Sequence, residues 1–165
     1  MERRGLDRGW GSLLGVALVL SMASPAVAAD EAKAEAKPSP FRLDAEKIAG
    51  VGLEADEPWP AETVLSGRSQ PRGSVLYRGD QLVIEVYEDT PSKLLIAEPF
   101  TYDEFVHIVS GKLILTDAQG RAHEYVAGES LVVPKGFTGT WEMQGNYREL
   151  IAIERKAYDA AYPPE

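Results

Sequence analysis

The chain has 165 residues, 44% of them hydrophobic and 8% aromatic, which is apolar material for one modest core and not for two. Acidic residues outnumber basic ones 26 to 17, and the net charge of -9 argues against nucleic acid and anionic membrane as partners. There is no cysteine, which excludes disulfides, a cysteine nucleophile and a lipid-accepting thiol.

The chain opens on a basic start with Arg3, Arg4 and Arg8, then an apolar run over residues 13–22, then Pro25 and the small residues Ala26, Val27, Ala28 and Ala29. The run is about ten residues, against the roughly twenty that a spanning helix needs, so this pattern predicts a secretory signal over residues 1–28, cleaved after Ala28. The flanks of the arginine pair, Glu2 and Gly5-Leu6-Asp7, fit twin-arginine export poorly, which favours the general secretory route. A periplasmic or secreted protein is expected, with no membrane insertion after processing. Its net charge would be -10, because the signal carries three arginines against Glu2 and Asp7.

Residues 29–40 are charged, Ala-rich and then Pro-broken, with nothing apolar to bury, and read as a disordered leader. A short helix is expected around 44–49. Beyond it, Pro58, Pro60, Gly67, Pro71 and Gly73 punctuate a stretch with little periodicity. Residues 41–80 are therefore expected to form an irregular segment of loops, with one edge strand at most, packing on the domain that follows.

From residue 81 the pattern changes to short β-rich runs at 82–87, 93–97, 104–109, 112–116, 121–126, 130–133, 138–143 and 148–154. The breaks between them carry turn chemistry, such as Ser110-Gly111, Ala127-Gly128, Pro134-Lys135-Gly136 and Gln144-Gly145-Asn146. Eight short strands joined by tight turns predict an all-β sandwich or barrel over 81–156, with 157–165 as a tail that could form a helical turn. Strands such as 113–115 and 131–133 are apolar on both faces, which predicts a cover on the outside and makes a homodimer the expected assembly.

Two spacings bear on the family: Glu104 followed after six residues by Gly111, and Gly128 followed after five by Pro134 and then Lys135-Gly136. This pair resembles the two motifs of the cupin superfamily. Residues 102–111 with 134–141 look most like the ureidoglycine-aminohydrolase-type cupins, relatives of the ethanolamine-utilisation cupin. The resemblance implies a single-domain, jelly-roll-like cupin β-barrel in which Gly111, Gly128, Pro134 and Gly136 shape the strand reversals. It also implies a metal question. In metal-binding cupins two histidines precede the glutamate and a third lies in the second motif. Here those positions hold Glu98, Phe100 and Gly139, and only Glu104 remains. One or two carboxylates make a weak, unselective site, so no metal cofactor is expected, with a divalent ion as the alternative.

Strand parity places the rest. If Glu104 faces the barrel interior, so do Val106 and Ile108, and His107 faces out as a packed or interface residue. His123, beside the 117–120 turn, is expected to face solvent. Trp141 lies two residues past the vacated position 139 and should share the face of Glu104. Phe100 and Tyr102 precede Glu104 at even spacing, although the turn around them blurs parity.

Glu98, Phe100, Tyr102, Glu104 and Trp141 are thus the candidate ligand-binding set, and Glu104 is the candidate catalytic acid or base, its pKa raised if Trp141 keeps water from it. Three readings stay open. The first is a metal-free barrel binding a small polar metabolite with amine, amide or hydroxyl donors. The second is an enzyme of the aminohydrolase or isomerase kind, with or without a metal, acting on a small nitrogenous or carbohydrate substrate. The third is a solid structural or interaction barrel in which Trp141 and Phe100 only fill space.

Overall fold

The computed structural model describes residues 39–162. The signal expected over 1–28 and nearly all of the leader expected over 29–40 lie outside the described residues. The first element is a one-turn helix, α1 (Ala45–Ile48), started by Asp44, whose side chain accepts from the backbone N–H groups of Glu46 and Lys47.

Strands β1 (Glu54–Ala55), β2 (Val64–Gly67) and β3 (Arg72–Arg78) follow. The sequence led us to expect loops and at most one edge strand here. The prolines lie between these strands rather than in them, so they shorten the strands without preventing pairing.

The remaining strands are β4 (Leu82–Asp89), β5 (Ser92–Ile96), β6 (Glu104–Asp117), β7 (Ala122–Val126), β8 (Ser130–Val133) and β9 (Gly139–Glu154), closed by the helix α2 (Arg155–Ala161). All pairings are antiparallel, and the nine strands join in one hydrogen-bonded sheet.

β6 and β9 are long because two expected breaks are not breaks. The Ser110-Gly111 and Gln144-Gly145-Asn146 segments lie opposite each other as irregularities in a continuous β6–β9 ladder. On one side of them β9 pairs with β4, and β6 with β8; on the other β9 pairs with β5, and β6 with β7. The sheet therefore has two leaves, joined through β6 and β9 at these bulges. The register shift between Ile108 and Ser110 also reverses parity, so Leu113 and Leu115 point inward as Val106 and Ile108 do.

Val83 and Ile153 from one leaf, Leu94 and Met143 from the other, and Val106 and Leu113 from the two halves of β6 meet in one core. A smaller cluster lies on the opposite face of β4: Val86 and Leu150 are covered by Leu43, Ile48, Leu53 and Leu76. The N-terminal segment thus packs on the outer face of β4 and β9. Farther along the same sheet, Val132, Phe105, Ala152, Ile84 and Tyr77 form a row across five strands. Here Val132 remains 59% and Phe105 44% exposed.

Candidate functional site

Inside the barrel a cavity of about 370 Å³ opens between β4, β5, β9 and the segment that joins β5 to β6. That volume is in the range of small-molecule sites, about 300–1,000 Å³. Glu98, Phe100, Tyr102, Glu104 and Trp141 all line it. Four of them come from the linker and the first residue of β6, and Trp141 comes from the first half of β9.

Backbone pairing fixes the linker. The Phe100 N–H donates to the carbonyl of Phe137 at 3.1 Å, the Gly136 N–H donates to the carbonyl of Phe100 at 2.8 Å, and the Lys135 N–H donates to the Asp103 carboxylate at 2.8 Å. The Pro134-Lys135-Gly136 turn after β8 therefore acts on the site through the backbone, holding Phe100 over the cavity. The Phe100 and Trp141 rings lie parallel, 2° apart in plane, with centroids at 6.2 Å, and Tyr102 meets the edge of Phe100 at 5.7 Å.

Glu104 is the polar centre of this wall. It is 6% exposed, it lines the cavity, and among the described residues its carboxylate has no hydrogen-bond partner. Burial, and secondarily the charge of Glu85, push its pKa up to about 7. Tyr102 is pushed up to about 12, first by burial and then by the charge of Glu104.

Parity also carries three residues that sequence reasoning did not assign. In β9, Tyr147, Glu149, Ile151 and Ile153 all point inward, and Glu149 reaches the cavity fully enclosed, accepting a hydrogen bond from the Tyr147 hydroxyl. Its carboxyl is held well above the usual range by burial and then by Glu104. On β4, Tyr87 lines the cavity and Glu85 accepts from the Tyr158 hydroxyl at 2.8 Å. The available signal was a carboxylate at an inward register position within an otherwise apolar alternation. From the N-terminal segment, Trp59 also lines the cavity and its indole N–H donates to the Tyr87 hydroxyl at 3.1 Å. No periodicity pointed to it. Tyr162, just past α2, closes another side.

The histidines lie elsewhere. His107 faces outward on β6 with its Nδ1 at 2.9 Å from the Ser130 hydroxyl, and His123 is exposed beside Asp117. Gly139 has φ +145°, and a Cβ there would lie 1.9 Å from the carbonyl oxygen of Thr116, so the backbone has no room for a histidine at the position where the resemblance would put one. Among the described residues no three His, Asp or Glu side chains converge as a metal site. The residues present do not fit the metal set of a metal-binding cupin.

Residues 77–158 match the family model of the EutQ-like cupin domain. Among solved structures the chain is similar to a protein of unknown function from Pseudomonas syringae pv. tomato, at 23% identity and TM-score 0.56, over 61% of this chain and 43% of that one. The chain thus spans under half the length of that relative. It is also similar to the EutQ protein of Clostridium difficile, at 18% identity and TM-score 0.46 over 52% of this chain and 68% of that one. A putative ethanolamine utilization protein from Salmonella typhimurium is 17% identical, with TM-score 0.46 over 52% of this chain and 70% of that one. No curated protein matches. The P. syringae structure shows a shared fold.

Proposed function

Because residues 77–158 form a cupin domain of the EutQ-like kind, we propose that its barrel binds a small polar organic molecule through side chains alone, without a metal ion. The observation that carries this reading is Glu104, a nearly buried carboxylate without a hydrogen-bond partner, set in an aromatic wall at the edge of an open cavity. A buried charge or acid without a partner is destabilising, and folds keep such groups where a ligand completes them. The cavity counts against the solid-barrel reading.

Metal analysis of the purified protein together with ligand-observed NMR against a panel of polar metabolites tests this. We expect no stoichiometric metal, and at least one saturable binder that Phe100→Ala or Trp141→Leu releases. Stoichiometric manganese, zinc, iron or nickel that disappears in Glu104→Ala would overturn the reading and restore a metalloprotein.

A second reading, an enzyme of the aminohydrolase or isomerase kind, is supported by the pKa of Glu104. A carboxyl poised at about 7 can both accept and return a proton at neutral pH. Recovery of the bound molecule in altered form, with turnover lost in Glu104→Gln, separates it from simple binding.

The same proposal places the protein outside the cytoplasm as a homodimer, on the strength of the signal pattern in residues 1–28 and the exposed apolar row around Phe105. Native mass spectrometry of protein recovered from the periplasm reads both properties. Chains starting at Ala29 and a doubled mass are expected. Protein confined to the cytoplasmic fraction with an intact Met1 would rule out the export half, and a monomer the assembly half.

A further inference from the structure

We propose that the ligand of this cavity is a small organic cation, a protonated or alkylated amine whose charge sits against Glu104 and beside the aromatic wall of Trp141, Phe100 and Tyr102. The inference rests on the small-molecule reading above and narrows it to one charge class.

The lining is one-sided. Glu98, Glu104 and Glu149 face the cavity, and among the described residues no lysine, arginine or histidine does. The cations of the surrounding strands are engaged on the outer face. Arg72 and Arg148 share the Glu88 carboxylate, and Lys93 pairs with Glu142. Alternation along β4 and β9 enforces this, since Glu88, Glu142 and Arg148 are each one residue out of phase with the inward set.

An anionic ligand would enter an acidic, apolar pocket with no counter-charge, at a desolvation cost that nothing there offsets. A neutral ligand gains nothing from the negative charge that these carboxyls take on when they ionise. A cation is attracted by the carboxylates and by the faces of the aromatic rings together. Trp59, Tyr87 and Tyr162 add further ring surface around the same space.

Ionisation sets how this attraction varies with pH. The titratable groups close enough to act on Glu104 are Glu85 from β4, Tyr147 and Glu149 from β9, Tyr102 from the linker and Tyr162 from the C-terminal end, and Glu98 and Tyr87 line the same cavity. All are acids, none contributes a positive charge, and each disfavours a second negative charge until a cation arrives. Binding of an ammonium ligand is therefore coupled to proton release, and its affinity rises from pH 6 to pH 8.

The test is calorimetry on the wild-type protein with ligand sets matched in shape and differing in charge: butylammonium, butanol and butyrate, and benzylammonium, benzyl alcohol and benzoate. The ammonium member of a set is expected to bind tightest and more tightly at pH 8 than at pH 6. Glu104→Gln is expected to weaken it roughly ten- to a hundredfold, as for loss of a charge-assisted hydrogen bond, while leaving the alcohol nearly unchanged. If an alcohol or a carboxylate binds as well as its ammonium partner, the cation assignment is overturned and the small-molecule reading stands. If no member of either set binds to folded protein, and the metabolite panel also fails, both are overturned.

Discussion

Glu104→Gln is expected to match its parent in stability near pH 4.5 and to exceed it by roughly 3 kcal/mol at pH 8, taking about 1.4 kcal/mol for each unit of pKa displacement. The folded-state pKa of Glu104 is raised from 4.5 to about 7, chiefly by burial. The native state therefore holds this proton more tightly than the unfolded chain does. The group's contribution to stability is fully present below about pH 4.5 and is lost as pH rises to about 7, where the native state must bear a buried, unpaired carboxylate. Glutamine keeps the size and shape and never ionises. Glu85 and Glu149 are raised in the same direction, so both proteins should weaken with rising pH, and the difference between them reports Glu104 together with the relief its removal gives to Glu149. Urea titrations at half-unit steps from pH 4 to 8 measure it. A constant offset across that range, or parity at pH 8, would show that Glu104 is solvated or already paired.

The second large effect belongs to Gly111. Gly111→Ala is expected to cost about 2–5 kcal/mol, combining about 1–2 for a left-handed backbone with about 1–3 for overpacking. The residue has φ +76°, and a Cβ there would lie 2.7 Å from the carbonyl oxygen of Gln144 and 2.7 Å from the Cα of Tyr147. Those are backbone atoms of the facing bulge, and they cannot move without opening the β6–β9 ladder. Gly128 is the control, since it has φ +92° with nothing within 4 Å, so Gly128→Ala carries only the backbone strain. Against a total stability of about 5–15 kcal/mol, the first change removes a large fraction and the second a small one. Equal losses in the two variants would mean that the bulge yields and that close packing at Gly111 is not what holds the two leaves together.

Both predictions hang on the same pair of strands, and the two long strands also mark where the sequence stopped being legible. The alternation Glu104-Val106-Ile108 was readable from period two alone, because a strand's side chains must alternate whatever it pairs with, whereas the place of Trp141 on the same face followed from the cupin resemblance. So were the glycines, whose backbone freedom shows wherever a chain has to reverse or bulge. What period two does not report is which strands become neighbours. The Ser110-Gly111 and Gln144-Gly145-Asn146 segments carry the chemistry of turns, and only their lying opposite each other in the ladder turns two pairs of short strands into two long ones. β1, β2 and β3 were hidden for a related reason. Their sequences are short and poorly alternating, and their stability comes from partners such as β4 and β5 rather than from their own pattern.

The amino-acid sequence by itself determined that the chain builds short strands into an all-β sandwich or barrel, and its resemblance to the cupins added that Glu104 and Trp141 share an inner face and that the histidines of a metal site are replaced. Only the tertiary structure decided that Glu149, Tyr87 and Trp59 join them around one cavity, that the linker over Phe100 is held by the 134–137 turn, and that Arg72, Lys93 and Arg148 pair on the outer face. The physical reason is one of range. Side-chain alternation and turn chemistry are set within a few residues, whereas the composition of a pocket wall depends on register between strands dozens of residues apart.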